Sequence, residues 1–194
     1  MMAQLTSLEA AVTIATIFVD MQVDFFAHPR LAVNRQTLAF NANALARLAR
    51  ASSSPVIWVK QVFSPDLHDA SLEVRRGGHR IVIEGTTGAD LLPELDYDST
   101  DLIVIKKRYS GFFRTTLDET IERLDCKKII IAGINTHACN RMTAIDAYQR
   151  DLEVFLAIDC LDSHDEAHHQ ISMRYMDGKI ATGMTNSQLA AMFK

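Results

Sequence analysis

The stretch KKIIIAGINTHACNRMTAIDAYQR, residues 127–150, decides the fold class. Residues 127–134 read as a strand, two lysines followed by the apolar run IIIAGI, more hydrophobic than its neighbours and of the pattern buried on both faces. From about Ala138 to Arg150 the spacing changes to that of a helix, with Met142, Ile145 and Tyr148 expected on one face. A strand buried on both faces that runs into a helix is the unit of a parallel sheet, because parallel neighbours need a crossover connection.

Working outward, the same alternation recurs. TIATIFV at 13–19 is a first strand, ending at Asp20. Asn34 is placed to cap the helix that follows, with Leu38, Ala42, Leu45 and Leu48 on one stripe, and Ser52-Ser53-Ser54-Pro55 stops it. PVIWVKQVF (55–63), DLIVI (101–105), EVFLAI (153–158) and KIATGMT (179–185) give the second, third, fifth and sixth strands. Thr116 and Glu119 have the spacing of a capping box, opening a helix through Ile121 and Leu124. A His-rich helix is expected from about Asp165 and a short one near Asn186. Residues 64–100 hold Arg75-Arg76, Gly77-Gly78, Gly85 and Gly88 and read as loops with at most short helix, a mobile cover. No repeat, low-complexity segment or linker interrupts the pattern, so one α/β domain over residues 1–194 is expected, with six strands in a parallel sheet covered on both faces.

Composition narrows the function. The chain has 194 residues, 48% hydrophobic and 23% charged, with a net charge of −4, which gives no electrostatic case for nucleic acid or an anionic membrane. No apolar run approaches the roughly 20 residues that span a bilayer. The N-terminus lacks a basic n-region and a cleavage-site pattern, so a cytoplasmic protein is expected. The three cysteines, Cys126, Cys139 and Cys160, are too few and too odd in number for a disulfide framework and are expected to be thiols. There is no G-x-G-x-x-G after the first strand and no G-x-x-x-x-G-K-[ST]; no cofactor is expected.

In open α/β sheets ligands bind beyond the carboxyl ends of the strands. Asp20 ends the first strand, Lys106 ends the third, and Cys139 follows the fourth at the start of its helix. Each alone has an ordinary explanation: a loop carboxylate, a solvated Lys106-Lys107-Arg108 run, a small buried thiol. Together an acid, a base and a thiol converge on one edge of the sheet. A helix N-terminus and Lys106 would both lower the Cys139 pKa. Cys126 lies at the foot of its strand, the wrong edge, and Cys160 near the end of the fifth strand is the weaker alternative.

Three segments then carry a family resemblance. Asp20-Met21-Gln22-Val23-Asp24-Phe25 resembles D-x-Q-x-D-F, Lys106-Lys107-Arg108-Tyr109-Ser110-Gly111-Phe112 resembles K-x-x-Y-S-A-F, and Gly133-Ile134-Asn135-Thr136-His137-Ala138-Cys139 resembles G-x-x-T-x-x-C. In that order and on those strands they are similar to the isochorismatase-like cysteine hydrolases, a family with nicotinamidases and N-carbamoyl and ureido amidohydrolases. The resemblance covers nearly the whole chain. It implies a three-layer α/β/α sandwich of Rossmann-like kind and a catalytic triad of Asp20, Lys106 and Cys139. It also implies a cis peptide between Ile134 and Asn135, and an oxyanion hole from the amides of Asn135 and Cys139. Phe25 and Tyr109, inside the matched segments, are expected to contact a small-molecule substrate. A homo-oligomer, dimer or tetramer, is implied as well.

Departures from the family limit the substrate. Where related nicotinamidases hold a metal with Asp-x-His, this chain has Gln61 and Phe63, so no metal is expected there and nicotinamide is disfavoured. Asp66 and His68 are out of register and read as loop residues. His164 and His168 have helical ligand spacing, but with His169 they read as a solvated or interface face lacking a third ligand. Trp58 and Phe112 are candidates for a flat apolar pocket or for core, and Arg75, Arg76 and Arg80 for a substrate carboxylate or a solvated loop. The function expected is cleavage of a C–N bond in an amide, ureide or carbamoyl compound through a thioester. Alternatives are a vinyl-ether hydrolase in which Cys139 is dispensable, a thiol redox sensor, and a non-catalytic scaffold.

Overall fold

The computed structural model describes residues 13–193. The expectation of no leader sequence rests largely on residues 1–12 and lies outside them. Six strands form one parallel sheet: β1 (Thr13–Val19), β2 (Val56–Gln61), β3 (Leu102–Lys106), β4 (Cys126–Gly133), β5 (Glu153–Leu161) and β6 (Thr182–Met184). The spatial order is β3-β2-β1-β4-β5-β6. The chain winds outward from β1 to one edge, then returns to pair β4 against β1 and winds to the other. The reversal between β1 and β4 is the switch point at which such sheets open a crevice.

The six helices are α1 (Pro29–Ala51), α2 (Leu72–Gly77), α3 (Leu117–Arg123), α4 (Arg141–Tyr148), α5 (Glu166–Met176) and α6 (Asn186–Leu189). Alternate strand residues feed opposite faces, as the two-residue period requires. Ile14, Phe18, Trp58, Ile130 and Phe155 pack under Leu38 and Leu45 of α1 and Leu189 of α6. Ile17, Val19, Val59, Ile129, Ile131 and Leu156 pack under Leu117 and Ile121 of α3, Ala144 and Ala147 of α4 and Met176 of α5. This is the three-layer α/β/α sandwich.

Three local expectations are corrected. The first helix begins at Pro29, five residues before Asn34, because a proline at the first helical position needs no amide partner and His28 caps the turn by accepting from the Arg30 amide (3.3 Å). Asn34 instead donates to Asp162 Oδ2 (2.7 Å), tying α1 to the end of β5. Thr116 makes no side-chain cap; its neighbour Thr115 does, Oγ1 accepting from the Leu117 amide at 3.2 Å. Finally, α4 starts at Arg141, after a separate π-helical turn at Thr136–Asn140, and it buries Thr143, Ala144 and Ala147. Met142 and Tyr148 are exposed, because the sheet takes the small side chains that let the helix approach closely.

The cover is packed as well as short. Phe63, Ala70, Val82, Ile83 and Ala89 form a cluster of their own, and the Asp24 carboxylate accepts from the Val82 amide at 2.6 Å. A Cβ on Gly88 would lie 2.2 Å from that carboxylate, so the close approach requires glycine.

Candidate active site

The ends of β1 and β4 are level, Val19 pairing with Gly133, while β2 and β3 run further together: Val59 pairs with Val19, and Gln61, two residues on, pairs with Lys106. Gly133 has φ +112°, and a Cβ there would lie 2.1 Å from the Val19 carbonyl oxygen. Only glycine lets β4 turn away here and hand the chain to Ile134 and Asn135, whose peptide is cis. Asp20 leaves β1 at φ +55°, a left-handed conformation that Asp tolerates better than most residues, fixed by its amide donating to Val59 O (2.9 Å) and its carbonyl accepting from the Gln22 amide (2.8 Å).

Asp20, Lys106 and Cys139 meet in the interior, with relative exposures of 1%, 0% and 5%. Lys106 Nζ donates to Gln61 Oε1 (2.8 Å), Arg108 O (3.1 Å) and Cys139 Sγ (3.3 Å), and lies 2.8 Å from Asp20 Oδ2. An ammonium has three protons. Four acceptors therefore share three protons, and Asp20, within 2.8 Å of the ammonium and in reach of the Cys139 thiol, keeps lone pairs to spare. A buried carboxylate beside a cation but with free lone pairs is a proton acceptor in waiting.

Burial governs the protonation states. Desolvation pushes the Asp20 carboxyl above its ordinary value, against the pull of Lys106. It pushes the Cys139 thiol up too, and the Asp20 charge adds to the rise, outweighing Lys106. Desolvation opposes the Lys106 charge, but Asp20 and Cys139 more than restore it. Protonating Asp20 would leave the lysine charge uncompensated in the interior, which is costly. The resting state is therefore carboxylate, ammonium and thiol. This corrects the expectation of a lowered thiol pKa: Cys139 sits in the helical turn that leads into α4, but burial decides the sign.

Sequence reading overlooked two glutamines in this machinery. Gln22, wholly buried, donates through Nε2 to Gln61 O (2.9 Å) and Ala89 O (2.8 Å) and accepts from the Gln61 amide (2.8 Å). It ties β2's last residue to Ala89 of the cover. Gln61 then gives its side-chain oxygen to Lys106. Gln22 stands in the first matched segment, which is the available signal; Gln61 carries no sequence signal beyond standing where related nicotinamidases have a metal ligand.

Above the triad lies a cavity of about 500 Å³, lined among others by Phe25, Gln61, Tyr109, Asn135 and Cys139. That is the size range of small-molecule sites. The Asn135 amide donates to no acceptor among the described residues. Of the arginines only Arg80 lies in the lining. Trp58 belongs to the core, stacked on Phe18 at 4.4 Å with Nε1 donating to Asp101 Oδ2 (2.8 Å), and Phe112 is buried under the Arg150 guanidinium. Phe63 is fully buried carbon, and no group of three or more His, Cys, Asp or Glu side chains arranged to hold a metal occurs among the described residues. Cys126 and Cys160 are buried away from the triad, their thiols pushed up by burial to about 11 and about 12.

Comparison with known proteins agrees with this architecture. The family model of the isochorismatase domain matches residues 14–188. Nicotinamidase 3 of Arabidopsis thaliana is 27% identical over 162 residues, 82% of this chain and 78% of that protein. The crystal structure of a cysteine hydrolase from Pseudomonas syringae pv. phaseolicola superposes with a TM-score of 0.86 at 24% identity, covering 95% of this chain and 93% of that one. N-carbamoylsarcosine amidase from Thermoplasma acidophilum gives 0.75 at 26% identity, covering 90% and 97%.

Proposed function

The chain belongs to the isochorismatase family of hydrolases, and we propose that it is a thiol amidohydrolase, cleaving the C–N bond of a small amide, ureide or carbamoyl compound at Cys139. One observation carries the reading: a buried thiol with Lys106 Nζ at 3.3 Å, and an acceptor carboxylate 2.8 Å from the same ammonium, under an open cavity.

The chemistry follows from those atoms. Asp20 takes the Cys139 proton as Sγ attacks the substrate carbonyl carbon. The electron pair of the C=O bond moves to oxygen, where the amides of Asn135 and Cys139 stabilise it. When the tetrahedral adduct collapses, the C–N bond breaks and Asp20 returns its proton to the departing nitrogen, releasing ammonia or an amine. Water then attacks the thioester, giving a proton to Asp20. The C–S bond breaks, the acid product leaves and the thiol is restored. Lys106 stays charged throughout and offsets the negative charge that passes between Asp20, sulfur and oxygen. Phe25 and Tyr109 supply apolar contact to the substrate.

Ammonia release from a panel of small amides, ureides and carbamoyl compounds tests the proposal, wild type against Cys139→Ala. Turnover lost in the variant supports it. Turnover kept in the variant removes Cys139 as the nucleophile of C–N cleavage and overturns the proposal.

A further inference from the structure

Four histidines gather beside the cavity, and the thiol chemistry uses none of them. His28, His137 and His164 line the cavity that contains Cys139. The His137 and His164 rings meet edge-on with centroids 4.9 Å apart, His28 lies 5.3 Å from His164, and His168 lies 5.7 Å from His137. They come from four separate places: the turn before α1, the π-helical turn, the loop after β5, and α5.

Each ring is held by one nitrogen. His28 Nδ1 accepts from the Arg30 amide, His137 Nδ1 bonds Ser163 Oγ, and His168 Nδ1 faces Asp165 Oδ2 at 2.8 Å. His164 Nδ1 lies 3.0 Å from Asn135 Oδ1, an atom that can only accept, so Nδ1 carries a proton there. With Nδ1 anchored on every ring, the Nε2 edges are what the wall has to offer.

We propose that this histidine wall is a subsite for an anionic substituent of the substrate, a carboxylate above all, and that binding there is coupled to proton uptake. The proposal rests on the hydrolase reading and names the kind of substrate it takes. At rest the wall has little charge to offer: burial, then the neighbouring imidazoles, holds His137 and His164 below the ordinary histidine range. Facing them are Asp165 at the cap of α5, His168 and His169 from α5 and His28 before α1. Arg30 is occupied by Asp162 and Glu166. From the cover, His79, Arg80, Asp24 and Glu73 line the same cavity, with Asp24 engaged by the Val82 amide and Glu73 facing Tyr109 OH at 3.4 Å. Asp165 is the carboxylate that acts on both rings, and it is already paired with His168, so the lowering of the two part-exposed rings stands. An incoming carboxylate supplies the missing countercharge, removes the repulsion between rings, and draws a proton from water. No three ligating groups sit at metal-binding geometry among the described residues, which favours an anion over a cation.

Calorimetric binding to the Cys139→Ala protein tests this, with ammonia release followed alongside so that failure of the nucleophile assignment and failure of the subsite are told apart. The probes are N-carbamoylglycine and the uncharged N-propylurea, each at pH 6 and pH 8 in two buffers of different ionisation enthalpy. The expected result is that the acid binds at least about fivefold tighter at pH 6 than at pH 8, with uptake of up to about one proton, while the urea shows neither effect. The same experiment in a Cys139→Ala, His164→Asn protein keeps an N–H facing Asn135 Oδ1 but deletes Nε2, and should flatten the pH dependence. No binding of the acid at pH 6, equal pH-independent affinity for both probes, or zinc chloride binding that excludes the acid would overturn the proposal.

Discussion

The floor of the cavity and its histidine wall meet the same cost and answer it differently. On the floor, Asp20 and Lys106 lie 2.8 Å apart with opposite charge, so burial that drives each toward neutrality is offset by the partner. On the wall, His137 and His164 face one another and further imidazoles, so burial wins and pushes both toward the neutral form. Burial sets the direction; the presence or absence of a countercharge decides whether charge survives. The floor can therefore move a proton within a closed set of atoms, while the wall gains charge only by exchange with water when an anion arrives.

The comparison breaks first at the thiol. Replacing Cys139 by Ala should lower amide turnover by roughly 10⁴-fold or more, read as ammonia release, because residues of a nucleophilic unit fail together. A smaller loss would detach the floor's charges from its chemistry. Next comes the backbone that aims the floor. Gly133→Ala should abolish soluble folded protein or cost about 4 kcal/mol or more in urea unfolding, since the added Cβ meets the Val19 carbonyl oxygen at 2.1 Å and cannot shift away from backbone. Gly85→Ala, at φ +78° with nothing within 4 Å, should cost only about 1–2 kcal/mol and serves as the control.

Removing the countercharge sharpens the contrast. Lys106→Met should destabilise the fold by about 3–5 kcal/mol at pH 8, because it leaves Asp20 buried and unpaired. The sign with pH is set by Asp20, whose folded pKa is raised. Below that value the folded state binds the proton more tightly than the unfolded chain, so the variant should recover stability as pH falls from 8 toward 5. Urea melts at the two pH values check it, and a pH-independent deficit would contradict it. The smallest effect is on the wall. The lowered His137 pKa means the unfolded chain binds more protons below pH ~6.5, so wild type should lose stability from pH 7 to pH 5.5, and His137→Asn should lose less over the same interval.

Much of the fold was legible because strands buried on both faces announce themselves as apolar runs; β1, β2, β4 and β5 fall within a few residues of their expected places. Ends were less legible, since they depend on which neighbour reaches first: His28 rather than Asn34, Thr115 rather than Thr116. The face of α4 was misplaced because periodicity marks large apolar residues, whereas the sheet selected Thr143, Ala144 and Ala147 for closeness. The positions of Asp20, Lys106 and Cys139 followed from strand ends alone. The sign of the thiol shift did not, because complete burial is a property of the assembled layers and no local motif records it. The histidine wall is half legible: helical spacing puts His164 and His168 on one face, but α5 starts only at Glu166, so His164 stands in the loop before it, and His28 and His137 join them only through the fold.

Acid-quenched mass spectrometry of wild-type protein mixed with the amide and carbamoyl panel tests the central claim most directly. The account predicts, for at least one member that releases ammonia, an acyl or carbamoyl adduct on the peptide containing Cys139, absent from Cys139→Ala and lost on hydroxylamine treatment. Ammonia release that persists in Cys139→Ala with no adduct on that peptide would contradict it.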